Sequence, residues 1–246
     1  MRYKELTFEG RNAVLEAFRS GKTIDKLFIL DGCQDGPIKS IVREAKKTST
    51  IISYVDKERL DRLANTGHHQ GVVAIGAAYE YAEVEDILEA ARSKGEAPFI
   101  FVLDEIEDPH NLGAIVRSSE AFGVDAIIIP NDRSVQITST VVKTSVGTIE
   151  KVKIVNVPNI NNAIRKLKDL GYWIVGTDME GTNYTEIDYK TKIGLVIGNE
   201  GKGISKVTTS NCDYIAKIPM KGTVNSLNAS VACGIFLSEI NRSRGI

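Results

Sequence analysis

The stretch Ile218-Pro-Met-Lys-Gly-Thr-Val-Asn-Ser-Leu-Asn-Ala-Ser-Val-Ala-Cys-Gly-Ile-Phe-Leu-Ser-Glu-Ile240 changes character halfway along. Its second half repeats apolar residues at three- and four-residue steps, which predicts one apolar stripe on a packed helix. Its first half predicts a polar loop that leads into this helix. Asn225, Ser226 and Asn228 crowd the junction, although a helix needs only one N-cap. Two interpretations stay open here: these residues only cap the helix and turn the chain, or they form part of a site. The apolar stripe consists of Ala229, Ala232, Cys233, Phe236, Leu237 and Ile240.

The composition is that of an ordinary globular protein. The chain has 246 residues, 42% hydrophobic and 26% charged, which is enough for two modest cores. The net charge of -1 hides a gradient. Through Ile75 there are 13 Lys+Arg and 10 Asp+Glu, and the remainder has 18 and 22. The mildly basic amino-terminal part could face a polyanion, although so small an excess is weak support.

The spacing of the cysteines and the hydropathy of the chain indicate the cellular compartment in which the protein works. Cys33, Cys212 and Cys233 are odd in number and lack the spacing of a zinc site or a disulfide framework. No apolar run reaches membrane-spanning length, and no hydrophobic signal core follows Met1. We therefore expect a soluble, cytoplasmic protein without disulfides, structural metal or membrane association.

The chain divides into two predicted domains. Residues 1–78 alternate helical and strand patterns, which predicts a small α/β domain. Residues 79–97 are acidic and poor in apolar side chains, with a short helix expected near Ile87–Ala91, and we interpret them as a linker. Residues 98–246 open with the continuous apolar run Phe99–Leu103, which is typical of a central parallel strand.

The second domain is predicted to be a parallel sheet with helices on both faces. Polar loops follow the apolar runs that end at Leu103, Val175, Ile197 and Ile218. In such sheets ligands bind outside the carboxyl ends of the strands, so these loops are the candidate site. The dinucleotide fingerprint is absent because Lys206 stands where the third glycine would be, and Lys202 is followed by Gly203 rather than Ser or Thr. Rossmann and P-loop sites are therefore excluded.

Three motifs carry a resemblance to a known family. Asp108-Pro-His-Asn-Leu-Gly-Ala-Ile-Val-Arg117, Val196-Ile-Gly-Asn-Glu-Gly-Lys-Gly-Ile204 and Ile218 to Ala232 occur in order across the second domain. They resemble the motifs of the SpoU/TrmH class of RNA ribose 2′-O-methyltransferases. Glu9-Gly-Arg-Asn-Ala-Val14 and His68-His-Gln-Gly-Val-Val-Ala74 resemble, less specifically, the ribosomal-protein-like substrate domain of the RlmB branch, which methylates a guanosine of 23S ribosomal RNA.

The resemblance implies a fold, a reaction and partners. The fold would be α/β, with a carboxy-terminal trefoil-knotted, mostly parallel methyltransferase domain after a small ribosomal-protein-like domain. The cofactor would be S-adenosyl-L-methionine, the substrate RNA, and the assembly a homodimer whose active sites draw on both subunits. The alternatives are a tRNA or another rRNA site as target, or a non-catalytic RNA-binding factor on the same fold.

Three residues carry the implied chemistry of the first two motifs. Arg117 would clamp an RNA phosphate and stabilise a developing alkoxide; its guanidinium is always protonated and so unsuited to be a general base. The alternative to this role is that Arg117 only forms a surface ion pair with Glu120. Asn111 would shape the active-site loop, or merely cap a helix. Glu200 would orient Arg117 or accept a proton, or be a solvated turn acid.

The remaining candidates belong to the late loops and to the first domain. Ser226 and Asn228 would hydrogen-bond around the acceptor ribose, with capping as the alternative. The residues expected to touch the cofactor are Thr177, Gly198, Ile218 and Leu227, and Gly198 permits close backbone approach. His68 and His69 would point to opposite faces if they lay in a strand, so they are not expected to share a metal ion.

Overall fold

A computed structural model describes residues 2–48, 50–84, 97–223 and 226–246. The chain forms two compact units, Met1–Glu80 with Ile137–Thr140, and Tyr81–Gln136 with Val141–Ile246. The helix predicted near Ile87–Ala91 and the candidate Asn225 lie outside the described residues.

The first unit is a four-stranded sheet with helices. The strand order is β1-β4-β2-β3, in which β4 is antiparallel to both neighbours and β2 is parallel to β3. Two of the helices bury apolar stripes with the sheet in a core that contains Val14, Leu27 and Ile41. The elements are β1 (Tyr3–Glu9), α1 (Arg11–Arg19), β2 (Thr23–Leu30), α2 (Gly36–Lys47), β3 (Ile51–Val55), α3 (Lys57–Leu63) and β4 (Val72–Tyr79).

The second unit is built on a six-stranded sheet of order β10-β8-β9-β5-β6-β7. Two 3-10 turns, Thr148–Glu150 and Tyr184–Glu186, connect some of its elements. The strands are β5 (Phe99–Leu103), β6 (Ala126–Pro130), β7 (Lys153–Val157), β8 (Trp173–Asn183), β9 (Ile193–Ile197) and β10 (Tyr214–Lys217). The helices of this part of the chain are α4 (Pro109–Ala121), α5 (Ser139–Thr144), α6 (Ile160–Asp169), α7 (Lys206–Asn211) and α8 (Ala229–Arg244).

All paired strands of this sheet are parallel, so the predicted parallel α/β sheet is confirmed. Every residue of β5, β6 and β9 is buried, which requires cover on both faces because successive side chains alternate. Helix α4 packs with α8, and α6 packs with α7. Within the described residues, no helix is long and apolar enough to cross a bilayer.

The second unit differs from the sequence-based expectation in several elements. Helix α4 begins at Pro109, inside the predicted polar loop. Strand β8 continues to Asn183, well past the predicted end at Val175. Strand β10 and helix α7 were not predicted, because both are short and Lys206–Asn211 is poor in strong helix formers.

Candidate active site

One cavity of about 370 Å³ lies where three chain segments meet. The segments are the middle of β8, the loop between β9 and α7, and the chain that leads from β10 into α8. The lining residues are Thr177, Asp178, Met179, Ile197, Gly198, Asn199, Glu200, Gly201, Lys202, Gly203, Ala216, Ile218, Met220, Ser226, Leu227, Ala229, Ala232 and Phe236. The structure therefore brings together all four residues expected to touch a cofactor, and Glu200 and Ser226 with them.

The loop after β9 is folded tightly back on itself. The backbone groups of Asn199 and Gly203 exchange hydrogen bonds of 3.1 and 2.8 Å. A Cβ atom at Gly198 would collide with the backbone of Gly203 and Ile204, so a residue without a side chain is needed there. This packing places backbone groups of the loop along the cavity wall.

Glu200 is the centre of a polar cluster at the cavity. Its Oε1 accepts hydrogen bonds from Nδ2 of Asn111 at 2.7 Å, from Nδ2 of Asn228 at 2.8 Å and from the backbone N–H of Ala229 at 3.0 Å. Nδ2 of Asn228 also donates to Oδ1 of Asn111 at 2.9 Å. Among the described residues none donates to Oε2 of Glu200, and the residue is exposed. Three of the predicted site residues therefore form one connected group.

Asn111 does not cap α4, so the capping interpretation was wrong. Asp108 is the N-cap, with its carboxylate accepting from the backbone N–H of His110 at 2.9 Å, and Pro109 occupies the first turn. Asn111 lies within the first turn, 6% exposed. A buried amide needs partners, and Glu200 and Asn228 provide them. Asp-Pro at a helix start is the signal that identifies the true cap.

Asn228 caps α8 and also belongs to the Glu200 cluster. Its Oδ1 caps α8 by accepting from the backbone N–H groups of Ser230 at 3.0 Å and Val231 at 3.3 Å, while its Nδ2 joins the Glu200 cluster. Ser226 is exposed and lines the cavity. Within the described part of the chain its side chain makes no hydrogen bond.

Arg117 stands apart from the cluster. It is exposed on α4 and has no hydrogen bond or ion pair to any described residue. The alternative of an ion pair with Glu120 was wrong, since Glu120 pairs with Lys151 at 2.9 Å. The expectation that Glu200 orients Arg117 is not met within one chain, because the contacts of Glu200 are with the two asparagines and Ala229.

Two further residues hold the loop after β9, and the sequence analysis missed both. Oδ1 of Asn199 accepts from the backbone N–H groups of Gly201 and Lys202, and its Nδ2 donates to the carbonyl of Glu105 at 3.0 Å. The three-residue pattern Asn-x-Gly, in which an Asn side chain can accept from the backbone two residues on, is a turn signal that could have identified Asn199. The other residue is Asp104.

Asp104 joins β5 to the start of α7. Its Oδ2 accepts from Oγ1 of Thr208 at 3.0 Å and from the backbone N–H of Ser205 at 3.2 Å. Burial raises the pKa of Asp104 above the ordinary range of an aspartate, and the two hydrogen bonds oppose that shift. The residue thereby fixes the start of α7, which follows the loop after β9.

The two histidines of the first unit, His68 and His69, differ in their surroundings. They precede β4 in a loop, so the condition of a strand, on which the argument about opposite faces rested, is not met. His69 is buried; its Nδ1 accepts from the backbone N–H of Gly71 at 3.0 Å, and its Nε2 then donates to Asp61 at 2.9 Å. His68 is exposed. In the described ranges no three His, Cys, Asp or Glu residues form a cluster that could hold a metal ion.

The parallel sheet, the cavity beside its strand ends and the carboxamide–carboxylate cluster define an α/β enzyme with a site for a small-molecule cofactor. The sequence model of the SpoU rRNA Methylase family matches residues 98–238, and that of RNA 2′-O ribose methyltransferase substrate binding matches residues 8–82. The chain belongs to the SpoU rRNA Methylase family. The predicted family and the predicted enzyme class, an RNA methyltransferase, are thereby confirmed.

Relatives agree with this membership, and two of the three described next do so over nearly the whole chain. A Bacillus subtilis (strain 168) protein assigned to the TrmH family of tRNA/rRNA methyltransferases, YacO, is 43% identical over 96% of this chain and 94% of its own length. The AdoMet-bound rRNA methyltransferase of Sinorhizobium meliloti has a TM-score of 0.63 at 26% identity, covering 97% of this chain and 87% of that one. The TrmH/SpoU tRNA modifying enzyme of A. aeolicus has a TM-score of 0.56 at 31% identity, covering 66% and 84%.

Proposed function

We propose that the chain transfers a methyl group from S-adenosyl-L-methionine to the ribose 2′-hydroxyl of a nucleotide in RNA. The observation that carries this proposal is the position of Glu200, which lines the cavity while three donors fix one oxygen of its carboxylate. A fixed carboxylate beside a cofactor cavity suits a reaction in which a hydroxyl must lose its proton as it attacks.

The cavity residues fit the cofactor. A volume of about 370 Å³ is in the range of small-molecule sites, which are mostly apolar with a few polar groups. Ile197, Ile218 and Leu227 supply the apolar walls, and the loop that starts at Gly198 supplies backbone donors and acceptors. When bound, S-adenosylmethionine supplies an electrophilic methyl group on its sulfonium. The carboxylates of Asp178 and Glu200 suit its positive charge.

The cluster assigns a role to each polar side chain. Asn111 and Asn228 hold Oε1 of Glu200, and Oε2 then accepts the proton of the ribose 2′-hydroxyl. Ser226, exposed beside the cavity, hydrogen-bonds the acceptor ribose. The Glu200→Gln variant tests the proton transfer: we expect a large loss of kcat with little change in cofactor affinity. Unchanged turnover and pH dependence would exclude the role.

The isolation of Arg117 supports a homodimer with shared active sites. Its guanidinium is exposed and has no partner in the described part of its own chain, whereas a phosphate clamp must stand next to Glu200. In a two-fold dimer, Arg117 of one protomer would serve the cavity of the other. The arginine would then bind an RNA phosphate and stabilise negative charge on the attacking oxygen.

Subunit mixing tests the shared site. Arg117→Ala and Glu200→Gln chains should each be inactive alone. Half of a random mixture would be heterodimers with one intact composite site, so about a quarter of the wild-type activity should return. A mixture as inactive as its components would show that each site uses residues of a single chain.

The finer features of the fold are part of the same proposal. We infer that the chain after β10 passes through the loop between β9 and α7 as a trefoil knot, and that the first unit is a ribosomal-protein-like RNA-binding domain. The tight self-closure of the loop at Gly198 and Gly203 and its hydrogen bonds to the start of α8 support the knot. Knotted chains are otherwise rare.

We propose a guanosine in 23S ribosomal RNA as the target, with tRNA or another rRNA site as the second candidate. The match of residues 8–82 to a substrate-binding model supports a structured RNA substrate. Methyl transfer to unmodified large-subunit ribosomal RNA and to tRNA, followed by mapping of the modified nucleotide, tests the choice. A DNA analogue should remain unmodified because it lacks the 2′-hydroxyl. The absence of methyl transfer to any RNA would overturn the proposal in favour of a binding factor.

A further inference from the structure

The turn Ser145–Gly147, called here the Val146 turn, holds a valine in an unfavourable backbone conformation. Val146 has φ of +53° and a side chain that is 65% exposed. A positive φ is uncommon for any residue with a side chain and a true outlier for a β-branched one. In the described ranges, the other non-glycine residues with positive φ are polar: Gln70, Glu105 and Arg133.

The turn is locked by its neighbours rather than left loose. Ser145 is fully buried, and its Oγ donates to the carbonyl of Val142 at 2.9 Å. Oγ1 of Thr148 donates to the carbonyl of Ser145 at 2.7 Å. The fold therefore imposes the strain and presents an apolar side chain to solvent. Strain of this kind is concentrated at functional sites.

The turn runs beside the face of α4 that carries Arg117. His110, Gly113, Arg117 and Glu120 share one helix face because they are spaced by three and four residues. A Cβ at Gly113 would lie 2.5 Å from Cβ of Thr144, and Lys151 pairs with Glu120. The chain from 144 to 151 thus follows this face from its first turn to its last. Val146 lies between these two contacts along the chain, as Arg117 lies between Gly113 and Glu120 along the helix.

The surroundings of the turn carry unpaired positive charge. Arg117 and Lys143 are both exposed, and the side chain of neither has an ion pair or hydrogen bond to a described residue. The carboxylate of Glu120 is neutralised by Lys151. A polyanion complements such a surface.

We propose that Val146 is an RNA-contacting residue whose side chain packs against an unstacked nucleoside of the substrate, next to the phosphate that Arg117 binds. RNA is recognised in this way at loops and bulges, where bases are splayed out onto protein surfaces. The inference rests on the proposed RNA methyltransferase function and adds a contact for positioning the acceptor. The strain persists because relieving it would withdraw the apolar side chain from the RNA.

The test replaces the valine without disturbing the backbone. Asn tolerates the left-handed conformation, so Val146→Asn removes the apolar contact and keeps the turn. The control is Val207→Asn on α7, since Val207 is 60% exposed. We expect the KM for in vitro transcribed large-subunit ribosomal RNA to rise about tenfold for the first variant, which corresponds to losing most of the burial of one valine. Its kcat, its S-adenosylmethionine affinity and its melting temperature should not fall, and the control should match the wild type.

Three outcomes would overturn the proposal. Equal RNA affinities of the wild type and Val146→Asn, measured by fluorescence anisotropy, would show that Val146 does not contact the RNA. A loss of dimer in the variant would assign the turn to a protein interface. An equal rise in the KM for RNA with Val207→Asn would show that the effect is not specific to position 146. A wild type that transfers no methyl group would defeat the proposed function alone, because the anisotropy comparison still decides the role of Val146.

Discussion

Asn228 donates a hydrogen bond from Nδ2 to Oδ1 of Asn111 at 2.9 Å, although 117 positions separate the two residues. The same Nδ2 donates to Oε1 of Glu200 at 2.8 Å. A bond across this separation forms only when the β5–α4 segment, the loop after β9 and the start of α8 have all reached their final places. The cluster is therefore a product of the complete fold of the second unit.

The first prediction replaces the donor in this cluster by an acceptor. Asp caps helices as well as Asn, so Asn228→Asp should keep the start of α8. Its carboxylate would face Oδ1 of Asn111 and Oε1 of Glu200 without a proton to donate. We expect kcat for methyl transfer to fall about 100-fold, as for loss of one preorganised active-site group. Steady-state kinetics on RNA measure the effect.

Asn159→Asp is the matched control for that substitution. Asn159 caps α6 through its Oδ1, which accepts from the backbone N–H groups of Asn161 and Asn162 at 2.9 and 3.2 Å. Its activity should equal that of the wild type. A variant at Asn228 that also kept full kcat would show that the amide donor is dispensable.

The second prediction concerns the closed loop after β9. A methyl group at Gly198 collides with backbone, whereas one at Gly201 would meet only Oδ1 of Asn199 at an ordinary 3.6 Å. Overpacking of this kind costs about 1–3 kcal/mol, so Gly198→Ala should weaken S-adenosylmethionine binding about 10- to 100-fold. Calorimetric titration measures the affinity, and Gly201→Ala should bind as the wild type does. Similar affinities for both alanine variants would mean that the loop does not need its tight closure.

The third prediction is a pH dependence of stability from Asp104. Because its pKa is raised in the folded state, the folded protein holds this proton more tightly than the unfolded chain does. Its contribution to the free energy of unfolding is full below about pH 4, the ordinary range of an aspartate, and is lost as pH rises through the raised value. Asp104→Asn should remove this decline and be at least as stable as the wild type at pH 7.

Asp104→Ala separates charge from hydrogen bonding. It leaves Oγ1 of Thr208 and the backbone N–H of Ser205 without their acceptor, which should cost about 1–3 kcal/mol. Urea unfolding of the three proteins between pH 4 and pH 8 measures both effects. A stability curve of Asp104→Asn parallel to that of the wild type would contradict the assigned shift.

The fourth prediction concerns the thiols. Burial, helped by the charge of Asp213, raises the pKa of Cys212 to about 12, and complete burial raises the pKa of Cys233 as well. Thiolates are the reactive form, so neither should react with a disulfide reagent at pH 8 in the folded protein. Cys33 and Cys212 are both half-buried, but the raised pKa of Cys212 disfavours its thiolate, so Cys33 should react first. One fast equivalent that disappears in Cys33→Ser is expected; two fast equivalents in the wild type would contradict the raised pKa of Cys212.

Local patterns were sufficient for much of the architecture. The apolar runs at Phe99–Leu103 and Ile193–Ile197 are fully buried parallel strands, as predicted. The apolar stripe of α8 is largely buried, with Ala229, Cys233 and Phe236 among its core residues. These elements follow from periodicity because each is long or continuous enough to be specified by its own residues.

The missed features depend on distant partners. Strand β1, Tyr3–Glu9, pairs along its length with β4, more than sixty residues away, and its own sequence is a weak signal. The four residues of β10 are held by pairing with β8. The sequence left helix capping open as an alternative for Asn111, because its contact with Glu200 spans 89 positions. No local sequence pattern encodes a contact over that separation. The motifs named candidate residues, but only the fold shows which of them touch.

The cap of α8 has a consequence for how the site responds to heating. Two of the three donors to Glu200, Nδ2 of Asn228 and the N–H of Ala229, belong to the first turn of that helix. Terminal turns fray at a much lower free energy than the whole domain unfolds. We therefore expect warming to free the carboxylate while the strands remain paired, so that turnover declines before any calorimetric transition begins.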